Sequence, residues 1–286
     1  MAVYKRGYNR YQGSLTGRLT RLMVLPRFAW QRLLEQRLVI IVMVVSIFWP
    51  LACATFIYIS NHLELLEGMG NGASKLLEIN GTFFVIFMNF QATMAVILAS
   101  IAGPSLIAPD LANGALPLYL SRPVTRTDYV VARMMVLVGL LSPVTWVPGL
   151  LLFVMQSGMA GWAWFSAHWS IAVGLIAGFM AWILLVALVA MACSAYVKWR
   201  IIAGALVLGF YFVLAGAATM INAVLRVDWG SVLNPAKAMD QIWRAMLGAE
   251  ATSGPGAWAC AVSMAVVAML LIAVLERKLR PVEVIS

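Results

Sequence analysis

The sequence predicts an all-α polytopic membrane protein with six transmembrane helices, and three observations carry that expectation. Of 286 residues, 63% are apolar and only 11% are charged, against roughly 25% charged in soluble domains. Mean hydropathy is +0.92. Uncharged apolar runs long enough to cross the hydrocarbon core, which takes about 20 residues, recur along the whole chain. The net charge of +9 does not point to nucleic acid, because the lysines and arginines flank the apolar runs, as topology signals do. No nucleic-acid partner is expected.

The elements follow in chain order. Residues 1–37 form an amino-terminal segment carrying 8 cations. Within it, Leu25 to Arg37 can form an amphipathic helix, with Trp30, Leu33 and Leu34 on one side and Arg27, Gln31, Arg32 and Glu35 largely on the other; it reads equally as an interface helix or as a basic flank. The apolar run after this segment is long enough to span, so it is expected to stay in the mature protein and not be cleaved as a signal peptide. Spans are expected at Leu38–Ser60, Thr82–Ile107, Val130–Met155, Trp169–Tyr196, Ile201–Leu225 and Ala257–Leu275. Residues 38–275 then make one six-helix transmembrane domain, and 276–286 a short cytoplasmic tail. Pro50, Pro143 and Pro148 should kink their helices. Gly174 with Gly178, and Ala205 with Gly209, have the small-xxx-small spacing that lets helices approach closely.

Cations orient the bundle. Alternate connections carrying 8, 3, 2 and 3 Lys+Arg fall on one side, and those carrying 1, 0 and 3 on the other, which places 16 of the 20 together. The positive-inside rule puts that side, and both termini, in the cytoplasm. Trp162, Trp164 and Trp169 suit an interfacial belt where the fourth span enters from outside.

Absences narrow the function. Apart from Arg133, within snorkelling reach of the third span's cytoplasmic end, the expected spans contain no Asp, Glu, Lys or Arg. An ion-coupled carrier usually needs such a group at depth. No G-x-x-x-x-G-K-[ST], G-x-S-x-G or H-E-x-x-H string occurs. Cys53, Cys193 and Cys260 sit in apolar runs at unrelated spacings and read as buried small hydrophobes. His62 and His168 fall at external helix ends; interfacial polar residues explain them, a copper site with methionines being the other reading. No resident metal is assigned.

Between the second and third spans, residues 105–128, the chain carries Pro109, Asp110 and Gly114, then Leu116, Leu118 and Leu120, then Ser121, Arg122, Pro123, Val124, Thr125 and Arg126. Pro109 suits a first helical turn, Asp110 the positive end of that helix, and Gly114 a left-handed terminator. Thr125 with Asp128 matches a capping box before the third span. This segment resembles the intracellular coupling loop of ABC-2 type ABC transporter permeases, which show an acidic residue, a glycine, a leucine-rich run and a Ser-Arg-Pro-Val-Ser-Arg-like string. Asp110 stands where Glu is commoner, Ala115 where Thr is, and Ala132-Arg133 where Gly-Lys is frequent. The six-span layout and the helix before the first span extend the likeness. It implies a cell (inner) membrane subunit of an ATP-driven exporter with no catalytic residue of its own. Its partners would be two copies of a separate ATPase subunit binding ATP and Mg, and a second permease copy, identical or not, in the lipid bilayer. Asp110, Gly114, Ser121, Arg122, Pro123 and Arg126 would serve the ATPase contact.

Asn89, Thr93 and Ser100, at i, i+4 and i+11, share one face of the second span and need a helix or a hydrated cavity to face. The resemblance favours Asn89 and Thr93 as lining a pathway; helix packing is the plainer reading. In the external connection, residues 226–256, Asn234-Pro235 starts and Gly248 ends a helix over Pro235–Leu247. With Met239, Ile242, Trp243 and Met246 as its apolar stripe, this helix should lie on, or dip into, the outer interface; the resemblance implies that it helps close an outer gate, and surface packing is the other reading. A secondary carrier and a non-catalytic anchor of a respiratory or envelope complex are the rival classes.

Overall fold

The computed structural model describes residues 18–62, 79–113 and 126–278, and among them every regular element is a helix. α1 (Arg18–Leu34) leads into α2 (Arg37–Asn61), the first span. The second span, α3 (Gly81–Ala112), starts at Asn80, whose Oδ1 accepts from Thr82 N at 3.0 Å and Phe83 N at 3.3 Å. The third span is divided into α4 (Arg126–Leu141) and α5 (Trp146–Ala160), joined by a tight turn at Ser142–Val144. α6 (Trp162–Tyr196) and α7 (Arg200–Leu225) follow, then α8 (Pro235–Leu247), outside the spans, and α9 (Ala257–Lys278). Six of these units are long and apolar enough to cross a membrane, so this is a multi-pass membrane protein.

α3 and α6 form the centre: 61% of the apolar stretch of each is buried, against 17 to 22% for α2, α7 and α9. The outer helices therefore present wide apolar faces, as lipid contact requires. Large side chains interdigitate in the middle, with Phe87 and Phe179 edge to face at 6.2 Å. The Trp182 indole donates to Ala92 O at 3.1 Å across the pair.

Several expected boundaries shift. α3 runs through Pro104 and Pro109 to Ala112, so Pro109 and Asp110 close the second span and do not begin a separate short helix. Pro104 leaves Ser100 O without its i+4 donor. That carbonyl lies against Gly204 of α7, where a Cβ would come within 2.5 Å of it. Pro143 breaks the third span, as expected; Pro148 instead occupies the first turn of α5, where its missing N–H costs nothing. α6 begins at Trp162, a helix start seven residues ahead of Trp169, and Trp162 and Trp169 are both exposed. The close contact of α7 uses Gly204, not the Ala205 and Gly209 pair: Gly209 has nothing within 4 Å of where a Cβ would be.

α1 packs along α4, but on a rotated face: Pro26, Ala29 and Leu33 are buried and Leu34 is exposed. Trp30 remains partly exposed, yet its Nε1 donates to Val136 O at 2.8 Å and its ring fills the space beside Gly139. α1 thus sits at the α3 end marked by Asp110, while α8 sits at the opposite end, against the first turns of α3.

Candidate functional site: two ends of the second span

At the α8 end, Asn234 caps its helix by accepting from Ala236 N at 3.1 Å and Lys237 N at 3.4 Å, Pro235 fills the first position, and Gly248 ends it at φ +67°. The bounds are those expected from the sequence. The helix does not lie on the bundle, however; it is sunk into it. Gly174 and Gly178 of α6 leave the space that Leu247 and Trp243 occupy, so this glycine pair receives α8 and not another span. Trp243 is 1% exposed and packs on Trp182 at 5.9 Å and Phe179 at 6.1 Å. Of the four expected stripe residues, Met239 and Trp243 are buried, Ile242 is half-buried, and Met246 is exposed; Leu247 takes the inward position instead. The reason is helical phase: the buried set Pro235, Ala238, Met239, Trp243 and Leu247 faces slightly to one side of the stripe.

Beneath α8 lies a cavity of about 300 Å³ between α3, α6 and α7. Asn89 and Thr93 line it, together with Tyr211, Asn234 and Trp243, and no charged side chain does. Ser100 does not: it lines a different cavity toward the α1 end. The Tyr211 hydroxyl and the Trp243 Nε1 are buried without hydrogen-bond partners, and the Trp243 Nε1 lies against Gly178 of α6. Buried polar groups of this kind cost roughly 1–3 kcal/mol when unpaired.

Asn89 also holds the helix above. Its Nδ2 donates to Val85 O at 3.0 Å and to Asp240 Oδ1 at 2.5 Å. Arg244 Nε donates to Asp240 Oδ2 at 2.8 Å, and Arg244 Nη1 reaches Glu250 O at 3.1 Å. Neither Asp240 nor Arg244 was singled out from the sequence, although their i, i+4 spacing on an amphipathic helix was a readable signal. The fold thus bonds a carboxylate from outside the spans to a cavity-lining amide.

The other end is charged. Asp110 Oδ2 accepts from the Tyr129 hydroxyl at 2.8 Å and forms a short ion pair with Arg133 Nη2. The Arg133 guanidinium stacks over the Tyr129 ring, 5.2 Å from its centroid. Arg133 is therefore tied to the second span, and its side chain, 9% exposed, does not snorkel to water. This pairing explains how a carboxylate is tolerated in the last turn of α3, where the helix dipole opposes it. Tyr129 and Arg133, again i and i+4, went unnoticed as partners of Asp110. Gly114, Ser121, Arg122, Pro123 and Thr125 lie outside the described residues; Arg126 is the first residue of α4, with Asp128 in its first turn.

Gln91 is a further polar side chain at depth that sequence reasoning passed over. It is fully buried, its Nε2 donates to Ser46 O at 3.0 Å, and its Oε1 is unpartnered beside a cavity of about 340 Å³ between α2, α3 and α5. His62 and His168 each place Nδ1 on a carbonyl one turn back, Tyr58 O at 2.9 Å and Trp164 O at 3.0 Å. Cys53 and Cys260 are buried and Cys193 is half-buried. Comparison with known proteins gives no name to this arrangement: no family model matches the chain, and no curated protein matches it.

Proposed function

We propose that this chain is the membrane-spanning permease subunit of an ATP-driven exporter of the ABC-2 type, working beside a second permease copy and two separate ATPase subunits in the cell (inner) membrane. What carries the reading is the clamp of Asp110, Tyr129 and Arg133 at the base of the segment whose Ser121 to Arg126 string resembles a coupling loop. A force applied to residues 113–125 by an ATPase would enter the second and third spans together, because their ends are bonded to each other. In this reading both termini are cytoplasmic, ATP and Mg act on the partner, and this chain supplies the route.

The cavity under α8 is the natural waypoint. Its uncharged lining suits a neutral or amphipathic cargo, since nothing there compensates a bare charge. α8, plugged by Trp243 and latched through Asn89 and Asp240, would act as the outer gate.

A secondary carrier is the second reading, and Asp240 is the observation that favours it: α8 brings beside a cavity-lining amide the ionisable side chain that the spans lack at depth. One experiment separates the two. Arg122→Glu with Arg126→Glu should abolish co-purification with a P-loop ATPase subunit and stop transport in proteoliposomes, while Asp240→Asn should leave ATP-dependent transport measurable. Transport that persists without any ATPase, follows an imposed proton gradient and vanishes in D240N would overturn the proposal.

A further inference from the structure

At the α1 end, two adjoining cavities share Gln36 and Ser105 as a common wall. The smaller, about 150 Å³, lies between α1, α3 and α4 and is lined by Arg32, Asp110 and Arg133. The larger, about 540 Å³, lies where α2 and α7 begin, and Arg37, Arg200, Ser100 and Gln36 supply its polar wall. No acidic side chain lines the larger cavity. Neither Arg37 nor Arg200 has an ion-pair partner among the described residues, and both are exposed. Next door, the Arg133 Nε is buried without an acceptor, although the side chain is 9% exposed and its other end is paired.

The helices add to this charge. α2 and α7, 25 and 26 residues long, both start at this cavity, and neither Gln36 nor Trp199 caps its helix through a side chain. Neither helix has an acidic residue in its first turn; each has an arginine as its first residue. Free N–H groups and the positive end of the macrodipole therefore point the same way as two guanidinium groups. Two long helices with the same arrangement, meeting at one cavity, concentrate positive charge there. The remaining wall is apolar: Leu38, Ile101, Ile201 and Gly204 run from the polar rim into the spans. An anion with an apolar continuation fits both halves.

We propose that the cavity between the starts of α2 and α7 binds the phosphate headgroup of an anionic phospholipid, gripped by Arg37 and Arg200, with its acyl chains along Leu38 and Ile201. Arg32 extends the positive field into the adjoining cavity, where Arg133 is paired with Asp110. Ser100 and Ser105 supply hydroxyl oxygens whose own protons are committed to backbone carbonyls of α3, so they can accept from an ammonium or hydroxyl on the headgroup. The site ties the first and fifth spans together on the lipid-facing side of the bundle. It needs only that the six helices lie in a bilayer, and holds whether or not an ATPase drives the chain.

The test uses the full-length chain in nanodiscs containing equal amounts of phosphatidylglycerol and phosphatidylcholine, with the lipid that stays bound after release into the gas phase identified by native mass spectrometry. Phosphatidylglycerol should be retained over phosphatidylcholine by about tenfold, in keeping with two cations acting on an anionic headgroup. Arg37→Gln with Arg200→Gln should bring that ratio close to one, the paired lysine substitutions should keep most of it, and Lys237→Gln, at the far end, should leave it unchanged. The headgroup ratio on the unaltered protein needs no variant to fold: equal retention there overturns the proposal. So does an unchanged ratio in the double glutamine variant, and so does displacement of the lipid by excess inorganic phosphate, which would assign the cavity to a small soluble anion.

Discussion

The two ends of α3 solve the same problem, fastening a central helix to its neighbours, with different chemistry. At the α1 end the fastening is a charged triad, Asp110 with Tyr129 and Arg133, buried between two spans. At the α8 end it is an aromatic plug with one amide-to-carboxylate bond, Asn89 to Asp240, beside a cavity that keeps unused polar groups. A buried ion pair is brittle, because losing one partner strands the other charge. An aromatic plug holds by packing area and strands no charge when it shifts. On the proposed function, the difference suits one end to transmitting force and the other to opening.

Substitutions can break or sharpen that contrast. The largest effect is expected from Arg133→Ala, which strands Asp110 and should cost about 3–5 kcal/mol; replacing both partners by leucine should recover much of the loss. Thermal unfolding in a defined detergent reads both, and a double variant no better than R133A would show that the pair is not the fastening. Next comes Trp243→Ala, expected to cost about 3 kcal/mol through the cavity it opens and to speed hydrogen exchange in α8 while leaving α1 untouched. Trp243→Phe should stay within about 1.5 kcal/mol, since the indole N–H has no partner to lose. The smallest pair compares two glycines of α7: Gly204→Ala should cost about 1–3 kcal/mol by pressing on Ser100 O, whereas Gly209→Ala should lie within about 0.5 kcal/mol of the parent. Equal effects at the two would mean that α7 turns a different face to α3.

Span number and the bounds of α8 were legible in the chain, because both rest on local chemistry: apolar length for the spans, and Asn234, Pro235 and Gly248 for the helix. Asn89 and Thr93 were legible only as polar groups sharing one face: the Thr93 hydroxyl turns back to Asn89 O at 3.0 Å, and no local pattern announces that the Asn89 amide meets Asp240. Ser100, eleven residues along from Asn89 on a helix packed by several neighbours, lines a different cavity. The end of α3 was misjudged at Pro109 for a related reason. Proline is a stop signal when water competes for the freed carbonyl, and a weak one when neighbouring helices enclose it. Gly174 and Gly178 announced a close contact without saying that the guest would be Trp243 and Leu247.

Sequence alone determined that this chain is a bundle of six apolar helices with one amphipathic helix between the last two, because hydrophobic length and helix punctuation act over a few turns and need no partner. Tertiary structure decided which polar groups meet. Asp110 finds Arg133 across 23 residues and Asn89 finds Asp240 across 151, and no local pattern fixes such distances. They are set by how α3 and α6 pack at the centre and by the depth to which glycine lets α8 sink.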